Sequence, residues 1–491
     1  LSVPDQPGGH NLQLRVASYH EASLQEDVLH REVFSGGLNI GRTSFSYTSY
    51  LHTAGHILGA YCTSPFAASN EPSYVLIWDG GQYPRLYYVD PERRTVANKG
   101  PLFSFLGSIY AIMGNYFGPY RLTEEQLAKD AHRRLVEGHT GGYLATSGKL
   151  MAYIALGSIQ HDLLKMLPEI HRREQHEANG FEHRYALAVS DYVKGRGYSD
   201  ADVLLTQHVY LERLLIAGLS RKIEQGGMAA KNFVFAGGSA LNIKWNSAAR
   251  DSGLFHSTWV PPFPNDAGSG IGTACCEMFN EGTTSLQWNV YSGPSVYRGT
   301  IQPGWRAQPA SVSELAQILA DRHEPIVFLE GRAELGPRAL GNRSILAPAT
   351  HERMKEHLNH IKNREEFRPV APICMECYAS EVFDPGTPDP YMLFDHRVKE
   401  HWVERVPAIC HVDGTARLQT LNEQQNPLVY RLIAEYEKLT GVPLLCNTSA
   451  NLNGSGFFPD VESAMRWGGC NYIYSNGVLY EKEDPTPPEL D

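Results

Sequence analysis

The stretch Tyr50-Leu-His-Thr-Ala-Gly-His-Ile-Leu-Gly-Ala-Tyr61, followed by Tyr74-Val-Leu-Ile-Trp-Asp-Gly-Gly81, orders the rest of the chain around it. His52 and His56 are four residues apart, so a helix over Leu51 to Tyr61 sets both imidazoles on one face, close enough to share an ion. Val75 to Trp78 reads as a strand, and Asp79 stands where the chain leaves the sheet, as a third ligand. Gly80 and Gly81 let the backbone turn there and a ligand approach. Two histidines at this spacing are more often surface or satisfied core residues than ligands. The protease zinc motif fails, because His-Thr-Ala-Gly-His has no glutamate after its first histidine. The ion reading therefore leans on further carboxylates. Trp259-Val-Pro-Pro-Phe-Pro-Asn-Asp266 is an extended segment that delivers an acid into the Gly-rich turn Ala267 to Gly272, ahead of an Ala/Cys helix. Asp266 either caps that helix or completes a set of two histidines and two carboxylates, which suits iron, manganese or zinc.

Length and composition bound the rest. At 491 residues the chain should form more than one domain, and 42% apolar with 20% charged residues is ordinary for a soluble globular protein. A formal net charge of -11 argues against a nucleic-acid surface, which needs clustered Lys and Arg. Any ligand phosphate needs a local basic pocket instead. Eight cysteines in so long a chain make no disulfide framework, so a reducing compartment, the cytoplasm, is expected. Cys374-Met-Glu-Cys377 has no second pair and follows an apolar run, which reads as buried thiols. There is no long apolar run and no signal peptide, so no membrane association is expected.

Along the chain, Glu21 to Val33 is readable as a helix, and Tyr74 to Trp78 with Leu86 to Val89 as a hairpin. Ser104 to Phe117 reads as a buried helix interrupted at Gly114. A turn at Gly141 and Gly142 precedes Gly148-Lys-Leu-Met, whose Lys149 reaches a phosphate, a carboxylate or solvent. His161 to Gly197 is polar and helical, a surface cover, and Val203 to Glu224 is apolar at helical spacing. Asn232-Phe-Val-Phe-Ala-Gly-Gly-Ser-Ala-Leu-Asn242 is strand, turn and helix start. That geometry aims backbone N–H groups at a ligand, although a tight turn without one looks the same.

From Glu281 to Ala310 the composition shifts to Gly, Ser, Pro and Trp without periodicity, as in a linker. A helix from Ser311 to Arg322, capped by Ser311 or Ser313, precedes a strand from Pro325 to Leu329. Then Gly331-Arg-Ala-Glu-Leu-Gly-Pro-Arg-Ala-Leu-Gly-Asn-Arg-Ser344 sets Arg332, Arg338 and Arg343 among glycines. With Lys362 and Arg368 following, this is a basic patch of the kind phosphate requires, against the alternative of a solvated charge run. A helix from His351 to Lys362 follows. Later, Arg417 comes just after a turn, and Pro443 to Ser449 is a strand ending in small polar groups, including Asn447 and Ser449, where α/β sheets bind ligands. The proline-rich Asp484 to Asp491 reads as a tail.

Taken in order, these motifs resemble a family. His-x3-His with Ile-Trp-Asp-Gly, Gly-Lys-Leu-Met, Ala-Gly-Gly-x2-Leu-Asn, Val-Pro-Pro-x3-Asp, Gly-Pro-Arg-Ala-Leu-Gly-Asn-Arg-Ser and Leu-Cys-Asn-Thr-Ser are similar to the O-carbamoyltransferases of nodulation-factor and antibiotic biosynthesis, the type of nebramycin synthase and the cephalosporin carbamoyltransferases. The likeness runs from about residue 50 to 480. It implies an α/β chain with an actin-like, sugar-kinase-like domain over residues 1–290, similar to the tRNA threonylcarbamoyl transferase. A linker over 291–312 and a YrdC-like α/β domain over 313–491 would follow. The second domain would make carbamoyl-adenylate from carbamoyl phosphate and ATP with Mg2+. The first would pass the carbamoyl group to a hydroxyl of a natural product, with antibiotic biosynthesis as the expected setting, beside Fe2+ or another divalent metal.

The resemblance also distributes roles. His52, His56, Asp79 and Asp266 would ligate the metal. Gly80, Gly237, Gly238 and Asn242 would line the adenylate, with Lys149 as a further nucleotide contact. Arg338, Lys362, Arg368, Arg417, Asn447 and Ser449 would hold ATP and carbamoyl phosphate. Catalytic duty would fall to His52, His56, Asp79, Arg338 and Arg368. Family members begin with a strand bearing a His-Asp turn. Residues 1–50 carry no such turn, so a first strand layer is expected to be missing. The expected partners are a small hydroxylated acceptor, ATP and carbamoyl phosphate, with homodimerisation left open and no nucleic acid or membrane. A tRNA threonylcarbamoyl transferase-like enzyme and a non-catalytic nucleotide-binding scaffold are the competing readings, the first disfavoured by the acidic balance.

Overall fold

A computed structural model of the chain describes residues 14–40, 42–129, 146–175, 180–226, 232–297, 299–451 and 456–485. The turn expected at Gly141 and Gly142 and most of the tail to Asp491 lie outside them. Residues 21–30, where the sequence suggests a helix running on to Val33, form turns that lead into an antiparallel pair, β1 (Arg31–Ile40) and β2 (Thr43–Tyr50). Tertiary contacts override local propensity here. The buried Glu21 carboxylate accepts hydrogen bonds from Arg85, Tyr87 and Asn98, which ties the segment to a sheet instead.

That sheet has five strands: β3 (Ser73–Ile77), β4 (Arg85–Asp90), β5 (Thr95–Pro101), β6 (Asn232–Ala236) and β7 (Ser257–Trp259). The order is β5-β4-β3-β6-β7, with β3, β6 and β7 parallel and β3–β4 the expected hairpin. Its central strands β3 and β6 are buried at every position because both faces are covered. Tyr74, Leu76, Phe233 and Phe235 join a core with the helices His161–Glu174, Phe181–Val193 and Asp200–Gly226. Val75, Ile77, Val234 and Ala236 join another with the helices His52–Cys62 and Ser269–Asn280. Residues 161–197 are thus more than a cover, since Leu163, Leu167, Ile170, Phe181, Tyr185 and Val189 are all core. The helix Ile109–Tyr116 runs through Gly114 without the expected interruption.

The second half contributes β8 (Trp305–Pro309), β9 (Ile326–Leu329), β10 (Arg343–Ala347) and β11 (Ala371–Met375). A small sheet of β12 (Phe383–Asp384), β13 (His396–Val398) and β14 (Thr415–Ala416) intervenes before β15 (Gln419–Leu421), β16 (Leu444–Ser449), β17 (Tyr472–Ser475) and β18 (Val478–Lys482). The large sheet runs β15-β11-β16-β10-β9-β17-β18-β8. β8 lies inside the stretch expected to be linker and pairs with β18 at the sheet edge. A capping box between Ser311 and Glu314 starts the helix Val312–Asp321, which packs with the helix Pro427–Thr440 on this sheet. Cys374 is buried but Cys377 is exposed, and all eight cysteines are free. No helix among the described residues is long and apolar enough to cross a membrane.

The helices His52–Cys62 and Ser269–Asn280 meet backbone to backbone. A Cβ on Gly272 would lie 2.1 Å from the carbonyl oxygen of Gly55, and one on Gly59 2.9 Å from Gly272 Cα. Gly272→Ala should therefore destabilise the fold by about 1–3 kcal/mol or more, read by urea denaturation. Gly270→Ala, whose Cβ would meet nothing within 4 Å, should not.

Candidate active site

The parallel strands β3, β6 and β7 end on one edge, so the residues after them converge. Asp79 follows β3, Gly237 and Gly238 follow β6, and residues 260–266 follow β7. Such an edge is where α/β sheets receive ligands. The packed helix His52–Cys62 brings its first turn to the same point. His56 Nε2 is 3.0 Å from His52 Nε2 and 3.3 Å from Asp266 Oδ1, and His52 Nε2 is 3.2 Å from the same oxygen. Asp79 Oδ2 lies 3.7 Å from His52 Nε2 and 3.9 Å from His56 Nε2. Asp266 does not cap the helix after it, whose N-cap is Gly268 without a side-chain bond.

These spacings test the metal reading. Ligand atoms about 2.0–2.2 Å from one ion stand about 3–4 Å from their neighbours at ordinary coordination angles. The four groups each place a donor atom within 4.8 Å of all the others, so the donor set fits one divalent ion. Without an ion, the carboxylates act on the histidine. Burial disfavours a charged His52, but hydrogen bonds and charge from Asp266 and Asp79 override it and raise its pKa to about 9. Burial would raise Asp79, but His52, His56 and Tyr19 hold it down at about 2. His52 and His56 push Asp266 well below the usual carboxylate range.

Asp79 is held from two further sides. Gly238 N–H donates to Oδ1 at 2.7 Å, and the Tyr19 hydroxyl donates to Oδ2. Burial and the nearby carboxylates push the Tyr19 phenol far up, so it remains a donor. No motif in the sequence points to Tyr19. Along with Gly80, Gly238, Asn242, Asp266 and Arg338 it lines a cavity of about 580 Å3, within the usual range for a small-molecule site. Gly237 does not line this cavity. At φ 88° it turns the chain tightly, and a Cβ there would lie 2.5 Å from Trp78 O. The Asn242 side chain caps the helix Ile243–Asp251. Lys149 lines neither this cavity nor the next. Its Nζ lies 3.9 Å from Glu365 in the second half and 5.0 Å from the Tyr120 ring.

In the second half the arginine loop divides. Glu334 Oε1 accepts the N–H groups of Leu340, Asn342 and Arg343, so the loop winds around a buried carboxylate. Arg343 donates to the carbonyls of Pro294, Glu330, Gly331 and Asn342, and Arg332 to those of Ser292 and Gly293. Both strap the preceding segment in place, contrary to the phosphate role suggested by the loop's composition. Arg338 alone of the three faces a second cavity, of about 160 Å3.

Sheet register explains what else lines that cavity. Ala371 pairs with Asn447, and β15 runs beside β11, so Arg364, Arg368, Arg417, Asn447 and Ser449 gather at one edge. Arg338 Nε, Arg364 Nη2, Arg417 Nε and Asn447 Oδ1 are buried without a hydrogen-bond partner. Among the described residues, none of these three arginines has a carboxylate within ion-pair distance. Burial, then Arg368, lowers Arg338 and Arg364 to about 10, and burial with the other arginines depresses Arg417 further. Arg364 was missed by the sequence reading because it lies just past a helix end. Lys362 sits behind the cavity, bonded to Ser449 and Asn451, and burial followed by Arg364 lowers it to about 7. Lys244 of the first half also reaches the cavity wall, 2.9 Å from both Asp395 and Asp413. The two cavities share Gly148, Met151 and Arg338.

Clustered cations without counterions call for an anion. Pyrophosphate should raise the melting temperature of the protein, by about 2.7 kcal/mol of stability at one hundred times its Kd. Arg417→Met should abolish that shift without lowering the anion-free melting temperature. The His52 pKa gives a pH prediction for the metal-free protein. Because the folded value of about 9 exceeds the ordinary 6.5, its stabilisation is complete below pH 6.5 and disappears as pH rises through about 9. Melting curves between those limits should fall more steeply for the native chain than for His52→Gln.

Comparison with known proteins covers most of the chain. Residues 24–275 match the family description "Carbamoyltransferase N-terminus", and residues 316–475 match "Carbamoyltransferase C-terminus". Nodulation protein U of Sinorhizobium fredii is 47% identical over 469 residues, 92% of this chain and 81% of the relative. That of Rhizobium tropici is 47% identical over 466 residues, 91% of this chain and 78% of the relative. The 3'-hydroxymethylcephem-O-carbamoyltransferase of Streptomyces clavuligerus is 32% identical over 428 residues, 85% of this chain and 76% of the relative. Both halves of the sequence thus carry the likeness in the same order, and the chain belongs to the carbamoyltransferase family as an O-carbamoyltransferase.

Proposed function

We propose that the protein transfers a carbamoyl group from carbamoyl phosphate to a small hydroxylated acceptor by way of carbamoyl-adenylate, with ATP as activator. In this reading the second half is YrdC-like. There water splits carbamoyl phosphate into carbamate and phosphate, and a carbamate oxygen then attacks the α-phosphorus of ATP and displaces pyrophosphate. The first half is actin-like and holds the adenylate beside Fe2+ bound by His52, His56, Asp79 and Asp266. The observation that carries the reading is the arginine cluster with buried, unpartnered nitrogens on Arg338, Arg364 and Arg417, which shares a wall at Arg338 with the cavity lined by Asp79 and Asp266.

Each residue has a physical task. Arg338, Arg364, Arg368 and Arg417 offset the phosphate charges, and guanidinium groups suit bidentate phosphate contacts. The cavity they line is small for a whole nucleotide, so in this reading it takes the phosphates while the nucleoside lies beyond it. Asn447 leaves a buried carbonyl oxygen open to a donor such as the carbamoyl amide. Gly80 and Gly238 expose backbone at the strand ends, where the adenylate approaches closely. When bound, the ion supplies Lewis acidity that polarises the carbamoyl oxygen. The acceptor belongs to specialised metabolism. The greater identity to the nodulation proteins than to the cephem enzyme favours an acceptor of the former's kind over a cephem.

Two variants test the division of labour. Arg338→Ala should lower pyrophosphate release from ATP and carbamoyl phosphate roughly 100-fold or more. His52→Ala should lose bound iron and carbamoyl transfer while retaining pyrophosphate release. Equal loss of both half-reactions in His52→Ala, or no pyrophosphate from the native enzyme, would sink the scheme.

A further inference from the structure

Tyr19 touches two of the four converging side chains yet lies upstream of the residues that match the family description. Its hydroxyl donates to Asp79 Oδ2, the carboxylate oxygen that faces both histidines, while Oδ1 is taken by Gly238 N–H. Its ring stacks on His52, with centroids 4.4 Å apart and planes at 28°. Its own carbonyl accepts from Thr53 N–H at 3.0 Å and from the Thr53 hydroxyl at 3.1 Å. The neighbouring Ser18 carbonyl accepts from His52 N–H at 3.3 Å. Backbone and side chain together therefore join the first turn of the histidine helix to the carboxylate after β3.

We propose that Tyr19 is a positioning residue of the metal site, fixing the His52 ring and Asp79 Oδ2 toward one ion. The inference rests on the metal reading above. A carboxylate that accepts a hydrogen bond on its ligating oxygen is held in place by it, so the ion meets a donor already oriented and loses less freedom on binding. Partners of this kind typically change metal affinity by about 10- to 100-fold when removed. Tyr19→Phe isolates the hydroxyl, because the ring and its stacking remain. Tyr19→Leu removes both.

The experiment titrates the metal-free full chain with Co2+ and follows affinity by calorimetry and ligand-field bands by visible absorption, with thermal melting as the check on folding. Tyr19→Phe is expected to melt like the native chain, to bind Co2+ about 10- to 100-fold more weakly and to show displaced bands. Tyr19→Leu should bind more weakly still. A purely structural phenol would move the melting temperature but leave the bands of the bound fraction in place. Unchanged affinity and bands in Tyr19→Phe overturn the proposal and leave the metal reading standing. A native chain that binds no Co2+ overturns the metal reading, and this inference with it.

Discussion

Backbone contact between two helices at Gly55, Gly59 and Gly272 is the constraint on which the first site depends. One helix carries His52 and His56 and the other begins just after Asp266. Any side chain at this crossing would hold the histidines away from that carboxylate. β3 and β6 supply the other fixed points, since their parallel pairing sets Asp79 beside the turn at Gly238. Histidines and carboxylates from distant segments therefore converge through packing, and their mutual electrostatics follow from that placement.

The second site rests on opposite physics. Burying several guanidinium groups side by side is unfavourable unless something negative completes them. The fold accepts this because the arginines are rooted in three separate elements: Arg338 in a loop wound around Glu334, Arg364 and Arg368 in the segment before β11, and Arg417 just after β14. The metal-type site is over-supplied with carboxylate and the arginine site with cation. That contrast sets a cluster suited to a cation and a cluster suited to an anion side by side in one chain.

Local pattern made much of this legible. The four-residue histidine spacing, the apolar runs ending in Asp79 and in Gly237 and Gly238, and the extended segment before Asp266 all describe short-range structure that the fold retains. Long-range pairing was not readable. Glu21 to Val33 has helix-compatible residues, but the partners of Glu21 lie in β4 and β5. Arg332, Arg338 and Arg343 look alike in the sequence. Only the carbonyls of residues 292–294 and 330–331 separate the two that strap the backbone from the one that faces a cavity. Tyr19 belongs to no motif, because its partners are far along the chain.

Lys244 joins the halves in a way that limits how such chains can be recombined. It sits two residues after Asn242, which lines the first cavity, and its ammonium lies between Asp395 and Asp413 of the second half. Those carboxylates keep it charged despite burial. A second half grafted from a relative would have to bring acids to both positions. Otherwise an orphaned ammonium would be left beside the very helix start that shapes the first cavity, and a seam drawn only through the connecting segment would miss it.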